Sequence, residues 1–300
     1  MSYISNIEFY RDAYAQGKNV TELLKEHTGS SLNSATIIET AYDLQAGSYI
    51  ETVEKDASFI NSYVKQQYDY IGKYAGDATS ILDIGCGELT SLLPLMLMLD
   101  NDTNYYAFDI SWSRLRKGSH YVKRHLSERH YNNLNVFCSD IERIPLPGNS
   151  IDVVVSSHAL EPNHGREYEL ISEVLRVAKE YVILFEPCYE QASPEAQLRM
   201  EHHGYVRNLS EVAESLGAEV VAQNLLPVIS NPLNPTAALI LKKKKVNVFS
   251  ELNFVDPINH QAMIKMDSFY YCPKSGVSFP IIDGIPVLRD HNAILTTALG

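Results

Sequence analysis

Nine residues constrain this chain most: Ser80-Ile81-Leu82-Asp83-Ile84-Gly85-Cys86-Gly87-Glu88 run from an apolar stretch into an acid and two glycines one residue apart. The pattern predicts a buried strand that stops at a tight turn, because glycine lets the backbone turn and lets a ligand approach it closely. A helix is expected next. Ser91 is a candidate N-cap and Pro94 falls in the first turn, with Leu92, Leu93, Leu95, Leu97 and Leu99 around it. Strand, glycine loop and helix form the opening unit of a nucleotide-binding α/β domain.

The residues after the loop narrow the ligand. A dinucleotide fingerprint places a third small residue three positions after the second glycine; Thr90 stands there, which argues against NAD. No phosphate-binding lysine follows the loop. An acid does end the next apolar run, Tyr105-Tyr106-Ala107-Phe108-Asp109, where a carboxylate can accept from both hydroxyls of a ribose. A third acid, Asp140, ends the run Asn135-Val136-Phe137-Cys138 and is followed by Ile141.

Three acids at three successive strand ends resemble the class I S-adenosylmethionine-dependent methyltransferases. The resemblance continues through Ile151-Asp152-Val153-Val154-Val155-Ser156-Ser157-His158-Ala159-Leu160-Glu161, similar to the family's fourth strand and following loop, and covers roughly residues 60 to 243. It implies S-adenosylmethionine as cofactor. Asp83 and the Gly85/Gly87 loop would lie along its methionine part, Asp109 with Ile110 on the ribose, and Asp140 with Ile141 on the adenine, with Ser156 also on the cofactor side. Charge agrees: this ligand carries a sulfonium and an ammonium but no phosphate, so an acidic cleft suits it where a pyrophosphate would favour basic contacts.

A formal charge of −12 disfavours a broad nucleic-acid or anionic-membrane surface, which moves small-molecule and protein acceptors forward. Cys86, Cys138, Cys188 and Cys272 form no Cys-x-x-Cys pair, and neither a signal peptide nor a membrane-length apolar run is visible. A cytoplasmic protein with reduced thiols is expected, with homo-oligomerisation left open. At 300 residues and 45% apolar content, one main domain with additions is the reading.

Residues 1–56 carry helical patterns broken at Gly29-Ser30-Ser31 and Gly47-Ser48, with Asn33 or Ser34 as a cap for Ile37, Ile38, Ala41 and Leu44. The resemblance implies that such an extension closes as a lid. Tyr42, Asp43, Gln45 and Tyr49 are then lid contacts, Tyr42 and Tyr49 on the substrate, or Tyr42 and Tyr49 are half-buried packing. Residues 57–245 form the cofactor-binding domain. It opens with a helix bearing Phe59, Ile60, Tyr63, Val64, Tyr70, Ile71 and Tyr74, expected at the sheet edge. Ser111 or Ser113 caps the helix after Asp109, Glu169–Ala178 is another helix, and Tyr181–Glu186 a fifth strand. Such alternation predicts a parallel sheet with helices on both faces. Ala218–Leu226 and Thr236–Leu241 resemble the family's closing antiparallel hairpin. Lys242–Lys245 read as a solvated strand exit or a nucleic-acid patch. The fold class is therefore α/β: a Rossmann-like class I methyltransferase sheet with a final antiparallel hairpin, an N-terminal helical lid and a small C-terminal β-rich unit.

That last unit spans 246–300. Asp256-Pro257-Ile258-Asn259 and Cys272-Pro273-Lys274-Ser275 have the spacing of two metal knuckles, and the segment resembles the small zinc-ribbon proteins that activate some tRNA and protein methyltransferases as separate subunits. Only Cys272 keeps a thiol. Structural zinc wants four good thiolate or imidazole ligands, so no zinc is expected, and the Phe-Pro-Ile and Asp-Gly-Ile-Pro stretches predict a β-hairpin docked on the main domain.

Methyl transfer is an in-line displacement, so alignment carries most of the catalysis, and a base is needed chiefly for a hydroxyl or protonated-amine acceptor. The acceptor should lie past the strand ends, near His158, Glu161, Asn163 and His164, and near Glu186, Tyr189 and Glu190, with Met200-Glu201-His202-His203-Gly204-Tyr205 closing over both. His158, Glu161 and His203 are the catalytic candidates; Tyr42, Tyr49, Asn163, Glu186, Tyr189 and His202 are the substrate-binding ones. Each has a plainer reading: His158 bonded into structure, Glu161 as a helix cap, Glu186 in an ion pair, His202 and His203 in a surface turn. A metal-dependent variant would join His202-His203 to Glu161 or Glu186; none is expected. The function predicted is methylation, on O or N, of a small polar metabolite such as a sugar, nucleotide-sugar or natural-product intermediate. The rivals are an RNA or protein methyltransferase, a non-catalytic cofactor-binding module, and an NAD-dependent oxidoreductase.

Overall fold

The computed structural model describes residues 6–99, 102–244 and 250–299. Lys245 and the 245/246 boundary lie outside the described residues. Four helices come first: α1 (Ile7–Ala15), α2 (Val20–Thr28), α3 (Ala35–Leu44) and α4 (Ser48–Lys55). Ser34 caps α3 by accepting from Ile37 N, which frees Asn33 for a long-range role described below.

The α/β domain follows as α5 (Ser58–Ala75), β1 (Ser80–Ile84), α6 (Leu92–Leu99), β2 (Asn104–Asp109), α7 (Trp112–His125), α8 (Glu128–Asn132), β3 (Leu134–Cys138), β4 (Ile151–Ser157), α9 (Glu167–Val177), β5 (Ala178–Pro187), α10 (Pro194–His203), α11 (Leu209–Ser215), β6 (Glu219–Leu225) and β7 (Thr236–Lys242). The strands make one sheet in the order β3-β2-β1-β4-β5-β7-β6, parallel from β3 through β5 and antiparallel at β7 and β6. This is the Rossmann-like methyltransferase sheet with its closing hairpin. Ile84 pairs with Phe108 and with Ser156, so β1, β2 and β4 end level and their loops share one edge.

Side chains alternate across each strand, which gives the sheet two apolar faces. Leu82, Ile84, Phe108, Val154, Val182 and Leu184 pack with α9 and α11 on one. Ile81, Ala107, Val153, Val155, Ile183 and Phe185 meet Tyr63, Val64 and Ile71 of α5 on the other. α5 therefore covers a face of the sheet instead of its edge, because its apolar stripe has a whole β-surface to bury.

The tail carries β8 (Ile264–Lys265), β9 (Phe269–Cys272), β10 (Val277–Ile282), β11 (Ile285–Pro286) and β12 (Ile294–Leu295). β10 and β11 form the expected hairpin, turning through Asp283-Gly284 with both residues at positive φ, as a two-residue turn matched to strand twist requires. The tail is not self-contained, however. Tyr270, Phe279 and Leu288 join the same core as Phe137 and Leu146, and Val287 bridges Cys138 in parallel, with Leu288 N donating to Cys138 O at 2.8 Å. Seated there, the hairpin covers the open edge of β3.

The knuckle positions do converge. The fully buried carboxylate of Asp256 accepts from Ser275 Oγ at 2.8 Å and Asn259 Nδ2 at 3.3 Å, and Cys272 is itself fully buried. Lys243 departs from the solvated exit expected of the lysine run: its ammonium donates to Asn149 Oδ1 at 2.6 Å and Ala178 O at 3.0 Å.

Candidate active site

The level ends of β1, β2 and β4 open into a cavity of about 710 Å³ roofed by α3, α4 and the start of α5. Its floor is the glycine loop. Gly85 and Gly87 both sit at positive φ, and a Cβ on Gly85 would stand 2.3 Å from the Ala159 Cβ, while one on Gly87 would stand 2.6 Å from Arg114 Nη2. Only glycine fits a backbone that is both left-handed and this crowded.

Asp109, at the end of β2, accepts from Gly87 N at 2.9 Å and, through its other oxygen, from Ser111 N at 2.8 Å. A carboxylate offers about four acceptor sites, so two remain for ribose hydroxyls on the cavity side. Asp140 and Ile141 line the wall next to it, Asp140 held by Glu142 N at 3.1 Å. Arg114 faces them from α7, its guanidinium over the rings of Tyr42 (5.2 Å) and Tyr49 (4.8 Å). Its Nε is buried with no hydrogen-bond partner among the described residues, and Glu88 and Asp109 lie 3.8 and 4.0 Å from the guanidinium. A glycine cradle, a half-used carboxylate and the buried guanidinium of Arg114 in the cavity wall together fit a ligand with ribose, adenine and amino-acid parts, namely S-adenosylmethionine.

The roof is latched on both sides of the cofactor end. Glu88, 1% exposed, accepts from Gly47 N at 2.8 Å and Ile50 N at 2.9 Å, taking up amides at the start of α4. In the reverse direction Asp43 of α3 accepts from Ser111 Oγ, Ser113 N and Ser113 Oγ at 2.7 to 3.2 Å, at the start of α7. From the tail, the buried Arg289 pairs with Glu39 of α3 at 2.6 Å.

The rest of the cavity wall includes His158, Glu161, Asn163, Arg166 and Asn234, with Phe59, Ile60 and Tyr63 from α5. His158 sits at φ +58°, a left-handed position, at the end of β4. Its Nδ1 is 2.5 Å from Glu161 Oε2 and its Nε2 is 3.1 Å from Thr236 Oγ1. Burial works against the imidazolium, but the hydrogen bond and charge of Glu161, with Glu186 behind, outweigh burial and lift the His158 pKa above the ordinary histidine value. Glu161 is shifted the opposite way: burial is overcome by His158, Tyr205 and Asn234, and its pKa is lowered. The two form one proton-holding unit in the cavity wall.

Several expected residues fall elsewhere. Asp83 and Ser156 line a separate small cavity behind the loop, bounded by Gln67 and Phe185. Burial, reinforced by the charge of Asp109, pushes the Asp83 pKa up to about 8. Glu186 is 2% exposed and does not line the cavity. Its oxygens accept from the backbone amides of Ala159, Leu160 and Glu161 at 3.0 to 3.1 Å, so it shapes the loop that carries His158 and Glu161. Tyr189 lies outside the cavity, bonded to Glu201 at 2.5 Å, with Arg207 over its ring. His164 bonds Glu167, and Glu190 bonds Asn208 N. His202 and His203, at the end of α10, are also outside the cavity wall and meet neither Glu161 nor Glu186; they face Glu22 of α2. The side chains of a helix terminus can point toward either neighbour, and here α2 occupies the nearer side.

Arg114, Arg166 and Asn234 are wall residues that the sequence reading did not single out, and Glu88 had no assigned role. Arg114 left a trace: it is a charged residue on the stripe shared by Leu115, Gly118, Tyr121 and Val122, where α7 buries its face.

Residues 81–181 match the family model described as a methyltransferase domain. No curated protein matches the sequence. Among solved structures, magnesium protoporphyrin IX methyltransferase from Synechocystis PCC 6803 with bound SAM is similar at TM-score 0.51 and 16% identity, over 72% of this chain and 99% of that one. Geranyl diphosphate C-methyltransferase from Streptomyces coelicolor A3(2) aligns at TM-score 0.47 and 11% identity, over 60% and 79%. Fold and matched segment define a class I methyltransferase domain. The matched segment supports a methyltransferase, and the cavity fits S-adenosylmethionine as its cofactor.

Proposed function

We propose that the enzyme methylates an oxygen or nitrogen of a small polar metabolite, of the sugar, nucleotide-sugar or natural-product class. The observation that carries this reading is the latched roof. Glu88, bonded to the start of α4, and Asp43 of α3, bonded to the start of α7, hold the helical lid down, which favours an acceptor that fits a cavity of about 710 Å³ shared with the cofactor. A cavity of that size suits small ligands. It does not suit a folded protein or an RNA duplex.

S-adenosylmethionine supplies a methyl group on a sulfonium, which leaves as a neutral thioether. The chain's contribution is position and proton handling. Phe59, Ile60 and Tyr63 present flat apolar surface, while Asn163, Arg166 and Asn234 offer directed polar groups to orient hydroxyls. Glu161 holds His158 at Nδ1, and Nε2, once Thr236 turns its hydroxyl away, takes the proton that an acceptor hydroxyl or ammonium loses. The four free cysteines support the cytoplasmic part of the reading. No helix among the described residues is long and apolar enough to cross a membrane.

The test is incubation with methyl-labelled S-adenosylmethionine and a cell extract separated into small molecules, nucleic acid and protein. Label in the small-molecule fraction is expected. Label in RNA or protein would overturn the acceptor class.

A further inference from the structure

We infer that Glu22, His202 and His203 form a zinc site that ties the lid to α10. Two segments 180 residues apart in the chain bring their donors together here, with one ligand atom of each side chain within 4.8 Å of the other two. Two imidazoles and a carboxylate are a donor set that Zn²⁺ prefers, with water as the fourth ligand. In a tetrahedral site the donors stand about 3.3 Å apart, so side-chain rotation, freest at the exposed His202, closes the remaining gap.

The surrounding contacts hold the donors in place. Asn33, just before α3, donates through Nδ2 to His203 O at 3.1 Å and to Pro162 O at 2.9 Å, which fixes the end of α10 against the lid and the acceptor loop. The Tyr205 ring lies stacked beside His203 at 5.5 Å, and the His202 and His203 rings stand 5.1 Å apart. Lys25 lies 3.8 Å from Glu22 and must yield its partner when the ion binds. A zinc ion at this seam joins α2 to the helix that follows the cavity wall, and so stabilises the closed roof without touching the reacting atoms.

The experiment uses the full chain stripped of metal by a chelator and titrated with Zn²⁺ by calorimetry, and with Co²⁺ by visible absorption, which reports tetrahedral coordination. One equivalent is expected, with a rise in melting temperature. H202A and H203A should each weaken binding by at least about 100-fold, while E22Q weakens it less and C272S leaves it unchanged. No binding, or binding unaffected by the histidine variants, overturns the site. Binding lost in C272S but kept in H202A/H203A would place the ion in the tail and equally overturn it.

Discussion

Glu88 Oε1 accepts a hydrogen bond from Gly47 N at 2.8 Å, joining the residue after the glycine loop to the residue before α4. A single buried carboxylate thus sets both the floor and the roof of the cofactor cavity. Glu88→Ala should lower stability by about 3 kcal/mol, since two amides at a helix start lose a charged acceptor in a buried place. It should also raise the Kd for S-adenosylmethionine. Urea denaturation and calorimetry measure the two effects; an unchanged Kd with lowered stability would separate the roof from cofactor binding.

The proposed function gives Asp109 the role of ribose ligand. Asp109→Ala removes two charge-assisted acceptors from a buried sugar, a loss of about 3 kcal/mol, or roughly 100-fold in Kd. Asp109→Asn, which keeps one acceptor oxygen for the Gly87 or Ser111 amide, should fall between wild type and alanine. Equal affinity in all three proteins would remove the ribose assignment.

Asp83 makes stability depend on pH. Its pKa is pushed up to about 8 in the fold, against an ordinary aspartate value of about 3.9. Between these limits the folded state holds a proton that the unfolded chain has released, so the contribution present below pH 4 is lost as pH rises through 8. Asp83→Asn carries no such proton. The melting temperature of the cofactor-free wild type, relative to that variant, should therefore fall from pH 5 to pH 8. A constant difference across this range would show that Asp83 does not titrate there.

The His158–Glu161 pair predicts a displaced pH–rate limb. His158 must be unprotonated to take a proton, and Glu161 raises its pKa, so the rate should climb with pH through a value above the ordinary histidine range. Glu161→Gln removes that charge and should move the limb to lower pH while lowering kcat about 100-fold, with cofactor Kd unchanged. A limb that stays in place would assign the titration to another group.

Much of this was legible in the chain itself. Asp83, Asp109 and Asp140 announce three strand ends because each acid follows an apolar run, and parallel pairing in register brings such ends to one edge. The glycine loop, the Asp283-Gly284 hairpin and the helix cap at Ser111 are local, and local backbone preference survives into the fold. The sequence alone therefore determined the sheet, its cofactor edge and the side on which His158 and Glu161 lie.

Tertiary structure decided what joins across long separations. Nothing within a few residues of Glu88 or Gly47 marks them as partners, because they stand 41 positions apart and their bond exists only once α4 rests on the loop. Glu186 looked like a site residue by position, yet three unpaired amides of the neighbouring loop captured it. The orientation of His202 and His203 depends on where α10 ends and which helix lies beside it, and α2 arrives from the other end of the chain. Arg289, likewise, meets Glu39 only because the tail packs along β3 and beneath the lid. Periodicity and turn chemistry act over a handful of residues, whereas a cavity wall is assembled by packing between elements, and packing is settled only when the whole chain competes for the same buried surface.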